Sequence, residues 1–143
     1  MEAAVYKTIL LPTDGSELAQ NGVEHGLKLA KELGSQVHVI TVVEPYPLNS
    51  PATAASWEEA QQRQADAALK AAQDAAAAVG VAVTSHIAVG ESAADEIIKM
   101  AREKNCDLII MASRGRRGLS EILLGSQTAK VVKEAHIPTL VVR

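Results

Sequence analysis

Apolar positions follow two alternating rhythms along this chain. Thr8-Ile9-Leu10-Leu11 is a short continuous run, β-branched at its start, and the turn formers Pro12-Thr13-Asp14-Gly15-Ser16 stop it, so it predicts a buried strand. From Glu17 to Leu33 the apolar residues Leu18, Val23, Leu27, Ala30 and Leu33 fall close to helical spacing, with Gly34 as C-cap. Gln36 to Val43 (QVHVITVV) is dense in β-branched residues and continuously apolar toward its end, as in a strand covered on both faces. Residues 44 to 56, rich in Pro, Ser, Asn and Ala, form the connection expected to be most mobile. The Ala, Gln and Glu run from Trp57 to Val79 predicts a helix by propensity more than by period. Gly80 ends it, and Val81 to Val89 alternates as a third strand. Ser92 opens a helix over 93–104 that turns Ile97, Ile98 and Ala101 inward. Asp107 to Met111 is a fourth short strand, Ser126 to Ala135 a helix, and Thr139 to Val142 a last strand.

Five strands alternating with four helices imply a parallel sheet with right-handed crossovers and helices on both faces. The expected class is α/β, one doubly wound five-stranded domain of strand order 3-2-1-4-5. Such sheets bind ligands beyond the carboxyl ends of the strands, where the order reverses. Pro12 to Gly15 follows the first strand and Ala112 to Gly118 the fourth, which places both loops at one cleft. Arg114, Arg116 and Arg117 are interleaved with Gly115 and Gly118, so backbone amides can approach an anion that guanidinium groups neutralise. Gly125-Ser126 opens the last helix, whose amides and positive dipole end favour an anion. Asp14, across the cleft, is suited to ribose hydroxyls, a base amine or a divalent cation on phosphates. Taken singly, each feature also has a plain reading: Gly115 and Gly118 as turns, Ser126 as a cap, Asp14 or Ser16 as the cap of the first helix. Their convergence favours a phosphate site.

These residues carry a resemblance. KTILLPTDGS, HVITVVEPYP and above all DLIIMASRGRRGLSEILLGSQTAKVVKEAHIPTLVVR resemble the universal stress protein family of the UspA type, and the match covers the whole length. The nucleotide-binding branch of that family carries Gly, two residues, Gly, nine residues, then Gly and Ser or Thr. The pattern falls here on Ala112, Gly115, Gly125 and Ser126, with Ala in the first place. Alanine is the smallest replacement, so weakened or retained binding is expected rather than its abolition. The resemblance implies a Rossmann-like adenine-nucleotide fold. It implies Pro12, Thr13, Asp14 and Val42 around adenine, Met111 and Ala112 near ribose, and Gly115, Gly125, Ser126 and Gln127 around a triphosphate. On residue type alone Val42 and Met111 read as core.

Composition narrows the partners. Fourteen basic against seventeen acidic residues give a net charge of −3, which offers no global field for nucleic acid or anionic membrane. Tyr6, Tyr46 and Trp57 are the aromatics, there is no Phe, and alanine occurs 25 times, so stacking platforms for single-stranded nucleic acid are missing. No apolar stretch nears the roughly 18 residues of a membrane span. Cys106 is the one cysteine, a buried inert thiol by expectation, and the reading is cytoplasmic. His25, His38, His86 and His136 lack metal-ligand spacing, and neither GxxxxGK[ST] nor GxGxxG occurs. The expected function is regulatory binding of ATP with Mg²⁺ between Asp14 and the 112–127 loop, with Arg114 and Arg116 on the phosphates. The alternatives are a nucleotide-independent dimeric scaffold and a slow ATPase or autokinase. The edge strand Thr139 to Val142 is expected to pair with its copy in a homodimer.

Overall fold

A computed structural model describes residues 5–115 and 124–143. Elements alternate as expected: β1 (Thr8–Pro12), α1 (Glu17–Leu33), β2 (Gln36–Val43), α2 (Ala54–Val79), β3 (Val83–Val89), α3 (Ala93–Glu103), β4 (Leu108–Ala112), α4 (Ser126–Glu134) and β5 (Thr139–Val142). The five strands form one parallel sheet of order β3-β2-β1-β4-β5, the doubly wound order read from the sequence.

Burial explains why the central strands carry no polar alternation. Ile9, Leu10 and Leu11 of β1 are all fully buried, as are Ile109 and Ile110 of β4, because helices cover both faces of a parallel sheet. Ile9, Leu11, Val37, Val39, Leu108 and Ile110 face α1 and α2, packing with Val23, Leu27, Leu69 and Ala72. Leu10, Ile40, Ile109 and Met111 face α3 and α4, packing with Ala94, Ile97, Ala101 and Val131. The methyl stripe Ala65, Ala68, Ala72 and Ala76 lets α2 lie close on α1 and β2. On α1, a Cβ at Gly22 would stand 3.1 Å from the Ala112 amide nitrogen, so α1 backs directly onto the end of β4.

Two element starts differ from the sequence reading by two or three residues, and several other ends by one. The second helix starts at Ala54 rather than Trp57, since the Thr53 hydroxyl accepts from Ser56 N at 3.0 Å and caps it. The third strand starts at Val83 rather than Val81, because Val81 N donates to Ala76 O at 2.9 Å in closing α2 around the left-handed Gly80. Residues 44–56, expected to be mobile, are tied at several points: Trp57 Nε1 donates to Glu44 O at 3.1 Å and Tyr46 OH to Ala52 O at 2.6 Å. Among the described residues no helix is long and apolar enough to cross a membrane.

Candidate functional site

The carboxyl ends of the strands are held in register to the last residue. Thr13 N donates to Ile40 O at 2.9 Å, Gly90 N to Val43 O at 3.0 Å, and Ser113 N to Val142 O at 2.9 Å. Beyond them opens a cleft of about 620 Å³, within the range of small-molecule sites.

The loop after β1 is built by its own side chains. Asp14 Oδ1 accepts from Ser16 N at 2.9 Å, Thr13 Oγ1 accepts from Gly15 N at 3.1 Å, and Ser16 Oγ accepts from Ala19 N at 3.2 Å. Ser16 is therefore the cap of α1, and Asp14 shapes the turn before it. The second carboxylate oxygen of Asp14 lies so near Gly115 that a Cβ there would collide with it.

The loop after β4 returns to its own strand. Gly125 N donates to Ser113 O at 2.7 Å, and the buried Thr128 hydroxyl donates to Ala112 O at 2.9 Å, so the start of α4 is pinned to the end of β4. A Cβ on Gly125 would meet Arg114 Cα at 3.2 Å. Among the described residues the glycines of positive φ are Gly15, Gly34 and Gly80, and neither Gly115 nor Gly125 is one of them. Both are small because a neighbour is close, not because the backbone is left-handed.

Helix α4 differs from the other three at its start. Ser16, Thr53 and Ser92 cap α1, α2 and α3 with side-chain oxygens, whereas Gly125 caps α4 without one. The first-turn amides of α4 have no intrahelical acceptors, and Ser126, Gln127 and Thr128, which carry three of them, line the cleft. Gln127 Oε1 is engaged elsewhere, accepting from Ala94 N at 2.8 Å at the start of α3. Lys130 Nζ lies 2.9 Å from Asp95 Oδ1 and 3.2 Å from Ser92 Oγ, tying α3 to α4. The hydrogen bond to Asp95 holds the Lys130 ammonium above the usual lysine range.

Of the site residues expected from sequence, Pro12, Thr13, Asp14, Val42, Met111, Ala112, Arg114, Gly115, Gly125, Ser126 and Gln127 all line this one cleft. Arg116, with Arg117 and Gly118, lies outside the described residues. Val42 and Met111 are both core and lining: each packs in the α3/α4 cluster and shows an edge to the cleft. Sequence reasoning missed Thr41, Val43, Glu44, Gln61, Gln64, Gly90, Glu91, Ala93 and Ile97. Those at the ends of β2 and β3 follow from the strand-end rule applied evenly; Gln61 and Gln64 give no local signal in an Ala and Gln-rich helix. Among the described residues no three His, Cys, Asp or Glu side chains come together to hold a metal.

Comparison with known proteins agrees with this architecture. Residues 5–143 match the family model described as "Universal stress protein family". A universal stress protein of Methanocaldococcus jannaschii, MJ0531, is 37% identical over 142 residues, covering 97% of this chain and 83% of that protein. The solved structure of a universal stress protein UspA from Lactobacillus plantarum superposes with a TM-score of 0.85 at 25% identity, covering 99% of this chain and all of the other. A second solved structure, of a universal stress protein in complex with cAMP, has a TM-score of 0.75 at 25% identity, covering 96% of this chain and 97% of that one. With the family model matching residues 5–143 and a relative 37% identical over nearly the whole chain, this chain belongs to the universal stress protein family.

Proposed function

We propose that this protein is an adenine-nucleotide-binding regulatory domain whose ligand is ATP with Mg²⁺, bound more than turned over. The observation that carries the reading is the start of α4: a helix N-terminus without a capping side chain, opening on the same cleft as Arg114. Backbone amides there suit phosphate oxygens, and the helix dipole adds to the attraction. The α3/α4 side of the cleft offers Val42, Met111 and Ile97 as an aliphatic seat for the base, which a chain so poor in aromatics requires. Asp14, held by Ser16 N, accepts ribose hydroxyls or helps hold Mg²⁺ on the phosphates. The cAMP complex of a family member supports an adenine nucleotide as the class of ligand. Binding then alters the order of the 112–127 loop or the assembly of the protein.

Assembly enters through β5. It is an edge of the sheet, and its Leu140 is 38% exposed, so pairing with the same strand of a second copy covers an apolar edge. The reading is tested by titrating ATP into the wild type and into an Arg114→Ala, Gly125→Val double variant by calorimetry. Heat from the wild type alone supports it, whereas equal heats from both, or none from either, refute it. Light scattering on the same preparations is expected to give a dimer, and a monomer at micromolar concentration refutes the β5 pairing.

A further inference from the structure

The cleft straddles the sheet. Side chains alternate along β2, so Ile40 and Val42 face α3 and α4, while Thr41 and Val43 follow Val37 and Val39 toward α1 and α2. The nucleotide reading above uses the first side. The second, lined by Thr41, Val43, Gln61, Gln64, Ala19 and Ala65, has no part in it.

Three features give this second side the character of a ligand pocket. Thr41 is only 4% exposed and lines the cleft, yet its side chain has no hydrogen-bond partner among the described residues. Its oxygen is not among the sealed unpaired side-chain atoms of the described residues, which are Gln20 Oε1 and Thr139 Oγ1, so the hydroxyl is open to the cleft and to a partner there. Gln61 Oε1 accepts from Glu44 N at 3.1 Å, which fixes the carboxamide and leaves its two N–H donors for another acceptor. Ala19 and Ala65, 5% and 1% exposed, line this side with methyl groups. The chemistry is selective as well. A hydroxyl and two carboxamides are neutral donors and acceptors, Glu44 and Glu91 add carboxylates to the lining, and Arg114, the one cation among the described lining residues, belongs to the β4 loop. Such a wall suits the edge of a neutral heterocycle, as a glutamine carboxamide pairs with N6 and N7 of adenine, better than it suits a phosphate.

We propose that the α1/α2 side is a second nucleoside subsite, so that the preferred ligand is a dinucleotide. Its phosphates sit at the start of α4, one base rests against Val42 and Met111, and the other is read by Thr41, Gln61 and Gln64. This rests on the cleft being a nucleotide site. The test is calorimetric titration of the wild type, Thr41→Val and Gln64→Ala with ATP, with diadenosine tetraphosphate and with cyclic di-AMP. Wild type is expected to bind at least one dinucleotide about tenfold more tightly than ATP, the worth of one or two good hydrogen bonds; which one gains separates a linear from a cyclic bridge. In each variant that ratio is expected to fall toward one. ATP binding with no gain from either dinucleotide overturns the subsite and leaves the nucleotide reading standing, and binding of none of the three overturns both. An unchanged ratio in Thr41→Val, together with a raised melting temperature, makes Thr41 a structural residue and also overturns the subsite.

Discussion

Replacing Ser126 by Asp separates the anion site from the helix that makes it. Ser126 is the exposed first residue of α4, next to a cap that offers no side chain. For the fold, a carboxylate in the first turn meets the positive end of the helix dipole and contributes about 0.3–1 kcal/mol of stability. For a phosphate on the same amides, the new charge is a repulsion. Two like charges 4 Å apart cost about 4 kcal/mol at an effective dielectric near 20, and exposure to solvent reduces this to about 1–3 kcal/mol. Affinity for ATP should therefore fall about 5- to 150-fold while the melting temperature holds or rises. Ser126→Ala is the control for the lost hydroxyl and should cost about 1 kcal/mol of binding.

Calorimetry and thermal unfolding in one buffer read both effects, and raising salt from about 0.05 to about 0.5 M should narrow the gap between wild type and the Asp variant. An Asp variant that binds ATP as tightly as wild type places the phosphates away from α4. One that weakens binding and stability together refutes the charge argument, since the loss then comes from the fold.

Two further predictions concern groups far from the phosphate end. His38 Nδ1 and His86 Nε2 stand 2.9 Å apart across β2 and β3, and both titrate below the usual histidine value, through burial first, then His86 and Lys104 for His38, and Lys104 for His86. The unfolded chain thus takes up more protons below pH 6.5 than the folded one, so stability falls as pH drops through that window; urea midpoints at about pH 7.5 and about pH 5.5 should show it, and His86→Gln should flatten the slope. Burial, with Asp107 beside it, pushes the Cys106 thiol up to about 11. A disulfide reagent at about pH 8 should therefore label it at least about a hundredfold faster in urea than in the native protein.

What the sequence made legible follows from which forces act locally. β1 and β4 were readable because a parallel strand covered on both faces must be apolar throughout, and Ile9 to Leu11 and Leu108 to Met111 are. Connectivity and handedness gave a doubly wound parallel sheet, and the expected order 3-2-1-4-5 brought with it the meeting of Asp14 with the loop after β4. The missed features are those in which distant segments meet. His38 and His86 are 48 positions apart and look unrelated until β2 and β3 pair. Gln61 and Gln64 are indistinguishable from the solvated glutamines beside them until α2 is laid over the end of β2. Gln127, expected on a triphosphate, lines the cleft while its side-chain carbonyl accepts from Ala94 N in α3, a bond that only the packing of α4 on α3 creates.

The alanine in the first glycine place of the nucleotide motif is where sequence and structure together decide most. Glycine is required there only if the backbone is left-handed or if a methyl group would meet the ligand. The backbone is not left-handed: Tyr6 and Asn105 are the non-glycine residues of positive φ among those described, and Ala112 ends the regular strand β4. Strand alternation puts residue 112 with Leu108 and Ile110 on the side of α1, whose Gly22 closes on it, while Met111 faces α3 and α4. Ala112 is only 6% exposed, so its methyl group packs more than it projects. Ala112→Gly should then cost stability, about 0.8 kcal/mol for the lost methyl and about 0.5–1 kcal/mol for the freed backbone, and change ATP affinity by less than about twofold. Urea unfolding and calorimetry measure the two quantities. If glycine instead tightened ATP binding tenfold at no cost in stability, the methyl group would be an obstacle in the ligand's path, and the motif's first glycine would be needed for the nucleotide rather than for the fold.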